Sequence, residues 1–165
     1  MLKVFRRLKD LDFNKLMAVY EEGNLENGRE FYPDDAPSVQ LQRAHLAFEE
    51  YLREDFFKVP GAFYAVWEED GTYLSALRME PYQDGWLLEA LETMSKYRKM
   101  GHGKRLILAV LSTFPKRSKV YSHVGKRNTA SLATHKSCGF RESLDYAKYV
   151  DGTVTRYSCT MEISL

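Results

Sequence analysis

The chain has 165 residues, 24 Lys/Arg against 23 Asp/Glu, and a formal net charge of +1. That length suits one domain, residues 1–165, with one sizeable core. The near-neutral charge provides no global field to attract nucleic acid or an anionic membrane, no stretch is apolar enough to span a bilayer, and the four His and two Cys lack metal-ligand spacing.

Met1–Arg7 has no signal-peptide apolar core, so Cys138 and Cys159 read as free thiols in a reducing cytoplasm. In chain order, Leu2–Arg6 is the first expected strand. Asp12–Glu22 places Phe13, Leu16, Met17 and Tyr20 at helical spacing. Gly23–Pro37 is polar and turn-rich, and reads as a loop. Ser38 to about Phe57 repeats Leu41, Ala44, His45, Phe48, Tyr51 and Leu52 every three or four residues, an amphipathic helix broken by Pro60-Gly61. Ala62–Glu68 and Thr72–Met79 are strands joined through Glu69-Asp70-Gly71. Trp86–Thr93 is a further strand, Lys104–Phe114 a helix stopped by Pro115, and Lys119–Val124 a strand. Asn128 caps the next helix, with Gly139 as its left-handed terminus. Arg141–Val150 and Val154–Ile163 are the final strands, turning at Asp151-Gly152.

The stretch Tyr97-Arg98-Lys99-Met100-Gly101-His102-Gly103-Lys104-Arg105 carries the chemistry. It is a basic, glycine-containing loop between a strand and a helix N-terminus. Free N–H groups and the helix dipole favour an anion there, and glycines let the backbone approach a phosphate. A P-loop fits only at Gly103-Lys104, because Arg98 replaces its first glycine and Arg105 its Ser/Thr. A dinucleotide fingerprint fails at Leu106. The pattern Arg/Gln-x-x-Gly-x-Gly/Ala is met in full by Arg98, Gly101 and Gly103. A βα turn with a solvated basic face is the alternative reading of the loop taken alone. Downstream, Asn128-Thr129-Ala130-Ser131-Leu132-Ala133-Thr134-His135 runs on to Gly139-Phe140.

These two motifs, in this order, resemble the coenzyme A loop and the late helix of the GNAT family of N-acetyltransferases. The resemblance implies an α/β (α+β) fold: a mixed, mostly antiparallel seven-stranded sheet, a central splayed parallel pair and about four helices. The order would be β-α-α-β-β-β-α-β-α-β-β. It also implies acetyl transfer from acetyl-CoA, without metal, to a primary amine of a small molecule or protein by direct attack on the thioester. A non-catalytic acyl-CoA-binding module on the same fold is the alternative. Neither nucleic acid nor membrane is an expected partner. A monomer, or a homodimer through the last two strands, is expected.

By the same resemblance, Leu91, Thr93 and Met94 would offer backbone groups from a bulged strand. The phosphate loop would comprise Arg98, Lys99, Met100, Gly101, His102, Gly103 and Lys104. Asn128, Ser131 and His135 would line the pantetheine. An alkylammonium must lose a proton before it attacks; Glu89, Glu92 and His123 are the candidate bases, and a water chain with no single essential base is the alternative. Alternation places Glu92 on the other strand face from Glu89. His135 stands where many relatives carry a Tyr acid, with Tyr146 and Tyr149 as other donors. For each of these side chains a structural role, as an ion-paired carboxylate or hydrogen-bonded histidine, is the competing reading. The acids Glu21, Glu22, Glu26, Glu30, Asp34 and Asp35 would favour a cationic acceptor if their loop rims the site, and are otherwise a solvated surface.

Overall fold

The computed structural model describes residues 1–165. Strand β1 (Leu2–Phe5) leads to three helices, α1 (Phe13–Val19), α2 (Glu21–Phe31) and α3 (Pro37–Glu54). Strands β2 (Phe63–Glu69), β3 (Thr72–Tyr82) and β4 (Gly85–Thr93) follow as a meander. Helix α4 (His102–Leu111), strand β5 (Lys119–Gly125) and helix α5 (Thr129–Ser137) come next. The chain ends in β6 (Arg141–Leu144), β7 (Ala147–Lys148), β8 (Val154–Thr155) and β9 (Ser158–Ser164).

Seven strands form one sheet in the order β1-β2-β3-β4-β5-β9-β6. Every pairing is antiparallel except β4 with β5. The expected mixed sheet with one parallel pair is therefore present, and no helix is long and apolar enough to cross a membrane. Period-two alternation along the strands gives each sheet face its own core. Phe63, Ala65, Leu77, Met79 and Leu88 pack with Leu106, Ile107, Val110 and Leu111 of α4 in a cluster of 15 buried residues. Tyr64, Val66, Tyr73 and Ala76 face the other way, against Leu16, Met17, Val19 and Leu52, in a cluster of 12.

Three expectations are corrected. The Gly23–Pro37 loop is largely helix, α2, which makes five helices rather than about four. Two glycines and two asparagines weaken helix propensity there, but tertiary contact overrides it. A Cβ at Gly28 would lie 2.8 Å from the Gln40 carbonyl oxygen of α3, so the two helices meet there too closely for a side chain. The Asp12–Glu22 helix is interrupted at Tyr20, whose ψ of 13° ends α1 and starts α2. Asp12 is its N-cap, accepting from the Lys15 amide at 3.1 Å.

The two final strands are each divided. β6 pairs with β9, while β7 and β8 form a separate ribbon around the Gly152 turn. The register slips between Glu142 and Leu144. The Tyr82 hydroxyl donates to the Lys148 carbonyl and draws the ribbon over β3. Because β9 lies between β5 and β6, only β6 has a free edge on that side.

Gly28→Ala is expected to destabilise the fold by about 1–3 kcal/mol, although alanine is the better helix former, because the new methyl overpacks the α2–α3 contact. Denaturant unfolding of the two proteins checks this.

Candidate functional site

The site begins with a fault in β4. Arg78 pairs with Glu89 and Ala76 with Glu92, so Ala90 and Leu91 together oppose Leu77 as a β-bulge. Ala90 takes a φ of 49°, left-handed for a residue with a side chain. The distortion is held from the helical face. The Tyr20 hydroxyl donates to the Ala90 carbonyl at 2.6 Å, and the Tyr64 hydroxyl donates to Tyr20 at 3.2 Å. Burial pushes both phenols up, Tyr64 to about 12, so both stay protonated as donors. The extra residue reverses alternation, so Glu89 and Glu92 share one face instead of opposing faces.

Beyond the bulge β4 leaves its parallel neighbour. Pairing with β5 covers only Trp86–Leu88 against Val120–Ser122. The gap between the diverging strands is a slot of about 180 Å³ lined by Glu89, Ala90, Leu91, His123, Asn128 and His135, among others. A larger groove of about 680 Å³ lies at Phe5, Arg6, Phe63, Trp86 and Phe114, and contains none of the expected site residues.

Beside Leu91, which lines the slot, stands the α4 N-terminus. Its first helical bond runs from the Arg105 amide to the Gly101 carbonyl. The amides of His102, Gly103 and Lys104 therefore lie ahead of the helical ladder. Lys99 and Gly101, with φ of 63° and 81°, curl the loop so that these amides converge. A Cβ at Gly101 would meet nothing within 4 Å, whereas one at Gly103 would lie 3.3 Å from Thr93 Oγ1 and 3.9 Å from the Leu91 methyls. Gly101 thus supplies the turn, and Gly103 lets α4 press on the bulged strand. Lys99 and Lys104 have no carboxylate partner, and Met100 is exposed. The His102 ring is buried, 3.9 Å from Glu69 and edge-on to Tyr97, so it presents only its backbone.

Arg98 spans the site entrance. Its guanidinium donates to Glu92 at 2.8 Å and to the Thr93 carbonyl at 3.0 Å, and pairs with Glu22 of α2. Both backbone groups of Met94 are engaged, the amide with Leu74 and the carbonyl with Tyr97. Leu91 remains at the open edge of β4.

Helix α5 lines the slot from the β5 side. Asn128 caps it by accepting from the Ser131 amide at 3.0 Å. His135 is 1% exposed, and its Nδ1 lies 2.8 Å from the Ser131 carbonyl. A carbonyl accepts, so Nδ1 carries the hydrogen and Nε2, which has no partner, offers a lone pair. Burial holds His135 below the usual histidine range, so this neutral acceptor form prevails at neutral pH. His123 lies on the opposite face of the sheet from α5, edge-on to Tyr82 and Tyr149, with neither nitrogen partnered. Burial lowers its pKa, and nearby Glu89 opposes the shift.

Sequence reasoning passed over Arg78 and Glu80. Arg78 pairs with Glu89 at 3.1 Å and lies over Tyr51, with 4.9 Å from its carbon to the ring centre. Glu80 is 7% exposed on the same face as Arg78, and burial, with Glu89 beside it, pushes its carboxyl up to about 7. The signal was present: a charged residue at two successive same-face positions of an apolar strand requires buried partners. Tyr20 and Tyr64 gave no comparable signal, since their hydroxyls meet the bulge only in three dimensions.

The model of the acetyltransferase (GNAT) family matches residues 7–140. Among solved structures, the chain is similar to a PaiA N-acetyltransferase from Thermoplasma acidophilum in complex with coenzyme A. The TM-score is 0.66 at 12% identity, covering 100% of this chain and 99% of that one. It is also similar to a ribosomal-protein-alanine N-acetyltransferase from Brucella melitensis, with TM-score 0.64 at 20% identity and coverage of 100% and 99%. An aminoglycoside 6'-acetyltransferase type Ii gives 0.62 at 14% identity, with coverage of 99% and 96%. These likenesses show the fold. No curated protein matches the chain.

Two outcomes are expected. Tyr20→Phe leaves the Ala90 carbonyl without its buried donor and costs about 1–3 kcal/mol, measured by urea unfolding. For His135 the folded pKa lies below the unfolded value, so the unfolded chain takes up the proton first. Its contribution to stability is intact above about pH 6.5 and is lost as the pH falls from there through the folded value. Unfolding midpoints at about pH 7.5 and about pH 5.5 should therefore fall further in the wild type than in His135→Gln.

Proposed function

The chain belongs to the acetyltransferase (GNAT) family, and on that premise we propose that it is an N-acetyltransferase acting on a primary amine. The observation that carries this reading is the continuous slot between β4 and β5. It is lined by Glu89 and His123 and by Leu91, whose methyls stand beside Gly103 at the start of α4. A phosphate-bearing acyl carrier and an amine would thus approach from opposite faces of the sheet and meet at the bulge.

The residues present fit acetyl-CoA. The Gly101–Lys104 amides, with Lys99 and Lys104, form a cradle for a pyrophosphate. The open edge of β4 at Leu91 presents backbone groups to a pantetheine arm and an N–H to a developing oxyanion. Asn128 and Ser131 flank that path, and His135 Nε2 can accept from an amide N–H. When bound, acetyl-CoA supplies a thioester whose carbonyl carbon is open to attack by a neutral amine. Glu89 and His123 face the place where that amine must lose its proton, whereas His135 in its present tautomer has no proton to give on the slot side. Arg98 holds Glu92, which makes Glu92 a support of the entrance rather than a base. The buried free thiols Cys138 and Cys159 fit a reducing cytoplasm.

Calorimetric titration with acetyl-CoA beside ATP and NAD tests the reading. Selective binding of acetyl-CoA is expected, and preference for ATP or NAD would remove it. Gly103→Val is expected to weaken acetyl-CoA binding by at least about tenfold, because branched carbons reach Thr93 and the Leu91 methyls and displace the loop. Unchanged affinity in a folded variant would remove the loop assignment.

A further inference from the structure

We propose that the groove at the start of β4 is a second binding site, and that its ligand is a small, flat aromatic carboxylate. The groove shares no lining residue with the slot, so the proposal stands apart from the transferase reading.

Three rings make its wall. Phe63 of β2, Trp86 of β4 and Phe114 just beyond α4 lie with ring centres 5.3, 6.0 and 6.3 Å apart, tilted to one another. Phe63 is buried, whereas Trp86 and Phe114 are half-buried and keep ring surface open to the groove. Gly61 clears their floor, because a Cβ there would lie 3.3 Å from Trp86 Cη2. The cavity, about 680 Å³, has the size of a small-molecule pocket.

Arg6 supplies the charge. Its guanidinium lies over the Phe63 ring, 5.1 Å from carbon to ring centre, and donates to the Gly61 carbonyl at 3.3 Å. No carboxylate pairs with it, whereas Arg7 beside it is taken by Asp10 at 2.6 Å. Most of the N–H donors of Arg6 are therefore unused. A planar guanidinium binds a carboxylate through two parallel N–H bonds. The ring of the ligand would then pack against Trp86 and Phe114. Two arginines against one aspartate leave the lining with one positive charge, which matches a monoanion. A phosphate ester would bring a second negative charge toward Asp10, and an ammonium would meet Arg6.

The probe is 2-naphthoate, titrated into ¹⁵N-labelled protein with and without saturating acetyl-CoA. The two tryptophans give two indole N–H resonances, which Trp67→Phe tells apart. The Trp86 resonance is expected to shift with a Kd below about 1 mM while that of Trp67 stays. A Trp86 resonance that does not move, or a shift abolished by acetyl-CoA, overturns the proposal. If acetyl-CoA itself fails to bind, the transferase reading falls and the naphthoate titration still decides this site. 2-Naphthylmethylammonium, of opposite charge, and cyclohexanecarboxylate, without a flat ring, should bind at least about tenfold more weakly. Equal binding of either overturns the assigned chemistry.

Arg6→Gln should weaken 2-naphthoate by at least about tenfold, and Arg6→Lys should restore only part of the loss, because an ammonium lacks the parallel pair of donors. Arg6 is exposed, so both variants should keep the wild-type unfolding midpoint. Unchanged affinity in folded Arg6→Gln overturns the proposal. Two other occupants are readable in the same experiment. Tighter binding of an acetylated tripeptide ending in phenylalanine than of N-acetylphenylalanine would assign the groove to a peptide terminus. A Trp86 resonance that moves with protein concentration alone would assign it to a second copy of the chain. Either result overturns the small-molecule ligand.

Discussion

The site depends on one hydrogen bond, from the Tyr20 hydroxyl to the Ala90 carbonyl. Left-handed backbone is unfavourable for alanine and persists only where surrounding structure over-determines it. Here the over-determination is a donor chain from Tyr64 through Tyr20, anchored in a buried aromatic cluster. The bulge it maintains has three effects. It ends the ladder between β4 and β5, opens an edge of backbone groups, and turns Glu92 onto the face of Glu89. A straight β4 would be a sound central strand with no slot beside it.

Charge is arranged around that fault with few free ends. Arg78 neutralises Glu89 on the helical face, and Arg98 neutralises Glu92 and Glu22 at the entrance. The positive groups left without a partner, Lys99 and Lys104, flank the α4 N-terminus, where the helix dipole adds to them. Local electrostatics therefore depart from the near-zero net charge of the whole chain.

How much was legible in the sequence follows from range. The Arg98–Gly103 turn and the Asn128 cap are local devices, set by residues a few positions apart, and both were readable without coordinates. The seven-stranded order came with the resemblance those motifs supported. The bond that makes the bulge joins residues 70 positions apart, and no local pattern announces it. Glu80 was missed because β3 continues past Met79 to Tyr82, so its carboxyl belongs to the strand rather than to a turn. Helix α2 was missed because Gly28, a poor helix former, is required by contact with Gln40.

The division of the core into two clusters, one on each face of the sheet, has a consequence for how such a chain can change over generations. Residues of α1 and α3 pack against one face, and α4 packs against the other. A substitution in the α1–α3 layer alters packing on that face of the sheet while α4 keeps its own, since the sheet stands between them as a bulkhead. The constraint is asymmetric at Tyr20, which belongs to the more replaceable layer yet fixes the strand that both sides share. Tyr20 is thus constrained twice, by the cluster it packs in and by the bulge it holds.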